Sequence, residues 1–238
     1  MKNGILQEPR LIRRIITLAL ALCFCGAAAL AQNYPPPYPR VNANPILEND
    51  RVNIWEVVWP KGQPTAMHEH PFDQLSITLR GGAVRVTRFG GKPSENNSTV
   101  GSVAFTPKGT IHMEEGLSDV PQHKVMLELK PSLAGPEQPA GGVQAPFRKG
   151  AVKLLENTRL TAWDFTWAPG QIVSIPAETL DSVTVFLEGG TIRSVTAQGE
   201  VKDISRNPGD VVYSAHSAEI RTEQAVTGSP RAVVVQLK

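Results

Sequence analysis

The stretch GQPTAMHEHPFDQLSITLRG, residues 62–81, sets two histidines on alternate positions ahead of a strand-like run that ends in glycine. In extended backbone alternate side chains share a face, so His68 and His70 point the same way with Cα atoms about 6–7 Å apart. Two imidazoles so placed can close on one cation at about 2.0–2.1 Å from each nitrogen. Such a pair alone is a weak signal, since histidines on exposed strands are common. The run that follows says more. Gln74, Ser76 and Thr78 share one parity, while Leu75, Ile77 and Leu79 share the other. That alternation predicts a strand whose polar face lines a cavity and whose apolar face packs.

Outward from this stretch the chain repeats itself. ILENDRVNIWEVVWPKGQ begins at Ile46 and LLENTRLTAWDFTWAPGQ at Leu154, an offset of 154 − 46 = 108. The same offset pairs Trp55 with Trp163, Trp59 with Trp167, Gly101 with Gly209 and Lys130 with Lys238. A constant register over this span implies two copies of one domain. Within each copy, short apolar or alternating runs such as VNIWEVVW, LSITL, AVRVTRF and SVAFT are separated by PKG, RGG and GGKPS turns. With no capped helical period, the pattern predicts an all-β sandwich or barrel. The expected boundaries are an N-terminal domain over 46–130, a linker over 131–153 and a C-terminal domain over 154–238. The proline-rich QNYPPPYPR opens an arm over 32–45, expected to be a solvated tether.

The spacing around the histidines is specific. Five residues separate Gly62 from His68, three separate His70 from Gln74, and six lead on to Gly81. Downstream, five residues separate Gly101 from Pro107, Gly109 follows two later and His112 three after that. The chain thereby resembles the cupin superfamily, whose motifs read G-x5-H-x-H-x3,4-E-x6-G and G-x5-P-x-G-x2-H-x3-N. Two elements depart from the pattern: Gln74 stands where glutamate is usual and Gly116 where asparagine is. The resemblance implies two tandem antiparallel jelly-roll barrels, as in bicupins. It also implies one divalent metal ion in the first barrel, held by His68, His70 and His112 with Gln74 as a possible fourth ligand.

The second copy lacks that set. The constant offset puts Pro176 at the position of His68, Glu178 at His70, Ser182 at Gln74 and Ile220 at His112. One carboxylate cannot hold a transition metal by itself, so the second barrel is expected to serve packing, a lid or dimer contacts. His216 lies out of register and reads as a loop residue, and Asp73 reads as a turn or supporting residue one position short of the motif. Arg85 recurs as Arg193 in the copy without histidines, which marks a structural ion pair rather than a substrate clamp.

Gln74 changes the expected chemistry. Three imidazoles and an amide leave a divalent ion its full +2 charge, which disfavours mechanisms that need a trivalent metal and favours anionic or chelating oxygen ligands. The expectation is a metal-dependent enzyme acting on a small oxygen-rich or enolisable molecule. Its chemistry would be dioxygenase-like or that of a Lewis-acid isomerase, cyclase or lyase. Glu114, two residues after His112, is the candidate acid or base. The alternative is a non-catalytic envelope protein that binds a metal or small ligand. Imidazole accepts Fe, Mn, Zn, Ni and Cu alike, so the residues do not choose among them.

Composition bounds the rest. RLIRRIITLALALCFCGAAALAQ runs from arginines into an apolar stretch and then small residues, which reads as a signal peptide over 1–31 and a secreted or periplasmic protein. Both cysteines, Cys23 and Cys25, lie inside it, so the mature chain is expected to have no disulfide. The leader carries Lys2, Arg10, Arg13 and Arg14 against Glu8, so its removal takes the formal charge from +2 to 2 − 3 = −1. Nucleic acid and anionic membrane are therefore not indicated as partners, and no transmembrane segment is expected after leader removal. The expected partners are a small molecule and a second copy of the chain in a homodimer.

Overall fold

The computed structural model describes residues 33–131 and 148–238. The expected leader and residues 132–147 of the expected linker lie outside the described residues. What is described is strand, turn and loop with no helix, and hence no helix long and apolar enough to cross a membrane.

The first repeat supplies nine strands: β1 (Ala43–Glu48), β2 (Val52–Trp59), β3 (His68–Glu69), β4 (Asp73–Arg80), β5 (Gly82–Arg88), β6 (Ser94–Ser98), β7 (Val103–Thr106), β8 (Ile111–Gly116) and β9 (Gln122–Leu129). They form a five-stranded sheet in the order β1-β2-β9-β4-β7 and a four-stranded sheet in the order β3-β8-β5-β6. The second repeat supplies β10 (Val152–Glu156), β11 (Leu160–Thr166), β12 (Ile172–Ile175), β13 (Ser182–Thr196), β14 (Val201–Arg206), β15 (Val211–Ser214) and β16 (Arg221–Leu237). These form one seven-stranded sheet in which the long β13 and β16 span the ground of β4-β5 and β8-β9. All strand pairs are antiparallel.

The alternation read along β4 is realised with both faces buried. Gln74, Ser76 and Thr78 point into the first repeat and are buried, while Leu75 and Ile77 are fully buried on the opposite face. That apolar face meets the other repeat: Ile54, Leu75, Ile77, Val125 and Leu127 form one core with Ala162, Val183, Val185, Val233 and Val235. The largest apolar cluster therefore lies between the repeats, while the interior of the first holds polar side chains beside a smaller cluster of Tyr38, Val57, Trp59, Val84 and Met126. Burying this continuous β-branched surface from water is the main cohesive term between the two copies.

Two expectations need correction. The proline-rich segment is not a solvated tether. Tyr38 is buried and stacked on Trp55 at a centroid distance of 5.0 Å, the Glu69 amide donates to Pro35 O at 2.9 Å, and residues from Ala43 onward pair with β2. A buried aromatic and a backbone hydrogen bond outweigh the extended, solvated preference of a proline run.

The constant offset also fails locally. Val86 faces Glu114, but its counterpart Ser194 (86 + 108) faces Glu223, which is 114 + 109. Likewise Arg88 faces His112, and Thr196 faces Arg221. The strand position of His112 is therefore taken in the second repeat by Arg221, not Ile220. One extra residue between β15 and β16 shifts the register, and one fewer before Arg231 restores it, since His123 and Arg231 again differ by 108.

Candidate functional site

The histidine centre is assembled by β3 and β8. His68 and His112 are direct cross-strand partners, and His70 is tied to the turn before β8 by its amide to Thr110 O at 3.0 Å and by Gly109 N to its own carbonyl at 2.8 Å. That turn needs Gly109, which sits at φ 79°, a left-handed conformation that costs other residues steric energy. Gly116, which replaces the usual asparagine, has its own reason: a Cβ there would press on the carbonyl oxygens of Trp59 and Pro60.

The three rings lie around a common point, with centroids 5.2 Å (His68–His70), 4.7 Å (His68–His112) and 4.9 Å (His70–His112) apart. Their ligand nitrogens all fall within 4.8 Å of one another, and all three residues are buried. His68 Nδ1 stands 2.9 Å from Ala66 O, to which it can only donate, so the lone pair of His68 is on Nε2. The Nε2 atoms of His70 and His112 are 3.0 Å apart. Two nitrogens each about 2.1 Å from one ion at a right angle stand about 3.0 Å apart, so this spacing suits a shared cation. Burial pushes all three histidines below their ordinary value, His70 to about 4, where His112 and His68 add to the effect. Neutral imidazoles are the form a metal needs. The cluster could hold a metal ion.

Gln74 is fully buried on β4 and lines the same cavity. Its Nε2 donates to the Tyr38 hydroxyl at 3.2 Å, which leaves the amide oxygen as the atom not engaged there. Glu114, on β8, also lines the cavity. Its Oε2 accepts from Trp59 Nε1 at 3.1 Å and stands 3.9 Å from Arg40 Nη2. Burial raises the Glu114 carboxyl, but His112, Arg40, His68 and Lys124 together outweigh it and hold the group below the usual glutamate range. The cavity measures about 560 Å³, within the range of sites for drug-sized molecules.

The remaining residues fall away from the centre. Asp73 Oδ1 accepts from Lys108 N at 2.9 Å and so holds the turn before β8. His216 is exposed and lies 2.9 Å from Asp181. Arg85 pairs with Glu95 and Glu115, and Arg193 with Asp203. Three contributors were not legible as site residues: Tyr38, Arg40 and Lys124. Arg40 had a signal, since Arg148 lies 148 − 40 = 108 residues on, within what reads as linker. Its guanidinium sits 5.4 Å over Trp59, as that of Arg148 sits 5.2 Å over Trp167.

In the second repeat, Trp167 Nε1 donates to Glu223 Oε2 at 2.9 Å, the counterpart of the Trp59–Glu114 bond. Glu178 and Glu223 are buried with Arg148, and Arg221 packs beside them. Among the described residues the only histidine, cysteine or carboxylate cluster suited to a metal is that of the first repeat.

No protein-family model matches the chain, and no curated protein matches it. Solved structures do. A salicylate 1,2-dioxygenase from Pseudaminobacter salicylatoxidans is 13% identical at a TM-score of 0.56, covering 98% of this chain and 95% of its own. A variant of oxalate decarboxylase from Bacillus subtilis is 13% identical at 0.55, covering 100% of this chain and 85% of its own. A cupin 2 conserved barrel domain protein from Leptotrichia buccalis is 12% identical at 0.52, covering 82% and 88%. This chain has the cupin fold, with the jelly-roll unit present twice.

Proposed function

We propose that the first barrel binds one divalent metal ion through His68, His70 and His112 and acts with it on a small oxygen-rich or enolisable anion. The reading is carried by the meeting of three buried imidazoles on one point beside a polar cavity of about 560 Å³. A divalent ion there supplies Lewis-acid polarisation of a substrate oxygen or access to dioxygen chemistry. Lys124 and Arg88 line the cavity and attract an anion. Glu114, held ionised, is poised to accept a proton from the substrate. Gln74 brings no charge, so its neutral amide favours an anionic substrate over an oxidised metal. Export belongs to the same proposal and is supported by the basic-then-apolar run before Gln32.

A second reading, binding without catalysis, is favoured by one observation. The tryptophan-to-glutamate bond and the arginine over the indole occur in both repeats, including the one without the histidines. Glu114 on this view is scaffold. Solvent deuterium exchange into a panel of enolisable carboxylic acids, with oxygen uptake followed in parallel, separates the two. The catalytic reading expects metal-dependent turnover that falls by about 100-fold or more in Glu114→Gln while metal content is kept. Turnover untouched by Glu114→Gln removes Glu114 from the chemistry, and metal binding with no turnover across the panel supports the second reading.

A further inference from the structure

The second barrel encloses its own cavity of about 180 Å³, and the charges around it do not resemble a metal site. Arg148 stands 3.7 Å from Glu178 and 3.4 Å from Glu223, while Arg221 stands 4.0 Å from Glu178 and 3.1 Å from Glu223. Two guanidinium groups and two carboxylates thus neutralise one another. Arg206 stands outside that set. It lines the cavity half-buried, its guanidinium 5.4 Å over the Phe186 ring, and among the described residues no acidic side chain pairs with it.

The other repeat shows that this cation is not incidental. Arg206 faces Gly190 across β14 and β13 as Ser98 faces Gly82 across β6 and β5, so the two positions correspond. In the first cavity Lys124 Nζ lies 3.4 Å from Ser98 Oγ. Lys124 faces Val57, and its counterpart facing Phe165 is Ala232. Each cavity therefore has a cation in the same corner, supplied by lysine from β9 in one and by arginine from β14 in the other. Random loss would have emptied one corner. An exchange that keeps the charge while moving its source suits a ligand that carries the opposite charge.

We propose that the second barrel is a metal-independent binding site for a small monocarboxylate, gripped by Arg206. A planar guanidinium offers two parallel N–H donors that match a carboxylate. Phe186, Ile192 and Val212 supply apolar walls for the body of the ligand, and Ser182 and Ser194 add hydroxyls. An apolar cavity of about 150 Å³ admits benzene, so the volume of about 180 Å³ suits a single six-membered ring whose carboxylate sits at the Arg206 corner. The site uses none of the histidines and stands whether or not the first barrel is an enzyme.

Calorimetric titration of the full chain, stripped of metal, with benzoate and with its neutral isostere benzamide tests the assignment. Benzoate should bind, and benzamide should bind at least about tenfold more weakly, as the loss of a charge-assisted pair requires. Arg206→Ser, which installs the residue found at the matching position of the first repeat, should weaken benzoate by at least about tenfold, and Lys124→Ala should leave this Arg206-dependent binding in place. Equal affinity for the acid and the amide would overturn the proposal, and that comparison needs no variant to fold. Unchanged benzoate binding in Arg206→Ser, or none at all up to about 10 mM, would overturn it equally.

Discussion

At the strand positions where the first barrel carries His68 facing His112, the second carries Ile175 facing Arg221. Around both stand an arginine over a tryptophan and a glutamate that accepts from that indole: Arg40, Trp59 and Glu114 in one, Arg148, Trp167 and Glu223 in the other. The duplicated cluster belongs to the scaffold, and the histidines are what is particular to the first barrel. Arg221 shows what can replace them. A guanidinium permanently occupies the cationic role next to Glu178 and Glu223, so the second centre needs no ion from solution. The long arginines also help to fill the interior, and the cavity falls from about 560 to about 180 Å³.

The largest effect should come from removing the histidines. Metal analysis of the untagged protein should give near one ion per chain, and His68→Ala with His70→Ala should bring this close to zero. Glu178→Ala, at the corresponding centre, should leave metal content unchanged. It should instead cost about 1–3 kcal/mol of stability in urea titrations, because it leaves Arg148 and Arg221 to share the one carboxylate of Glu223. Equal, low metal in the parent and the histidine variant would break the comparison, and a stability loss under about 1 kcal/mol in Glu178→Ala would show that the second centre is not closed by its ion pairs.

Acidification should separate the centres next. In the metal-free protein, folded His70 resists protonation until about pH 4, whereas the unfolded chain takes up that proton near its ordinary 6.5. The unfolded state therefore binds more protons throughout this window, and stability must fall as pH drops from 6.5 towards 4. The slope for one such proton is at most about 1.4 kcal/mol per pH unit, and the downward shifts of His68 and His112 act in the same direction. His70→Ala should flatten the profile; an unaltered slope would show that the first centre does not govern it.

The smallest effect concerns the docked N-terminal segment. Tyr38→Phe deletes the hydroxyl that accepts from Gln74 and should cost about 1–2 kcal/mol, with the metal retained. Loss of metal in this variant would mean that the arm positions Gln74 for ligation, a sharper asymmetry between the barrels than the histidines alone provide.

Much of the candidate site could be read from the chain because its three histidines sit in two local motifs. His68 and His70 lie on alternate positions of one extended segment, and the PKGTIH turn delivers His112 to the facing strand. The parity of Gln74, Ser76 and Thr78 also carried over directly. Other features were hidden for specific reasons. Prolines at 35–37 and 39 read as a free arm because nothing local announces that Tyr38 will find Trp55 and Gln74. The correspondence of His112 with Arg221 was masked by one residue added before β16 and one missing within it, which cancel before Arg231. Lys124 looked like an ordinary strand lysine until its neighbours Glu114 and Trp59 were known.

By itself the sequence determined that the protein is a duplicated β fold, which strand faces are polar, and which three imidazoles can meet. The first two follow from repetition and periodicity along the chain, where backbone geometry leaves little choice, and the third from the resemblance of its two motifs to those of the cupins. Tertiary structure alone decided that the main apolar core lies between the repeats, that the proline-rich segment closes the first one, and that a guanidinium takes the histidine position in the second. Those outcomes depend on contacts between distant segments, where burial and charge pairing are settled by the neighbours that the fold supplies.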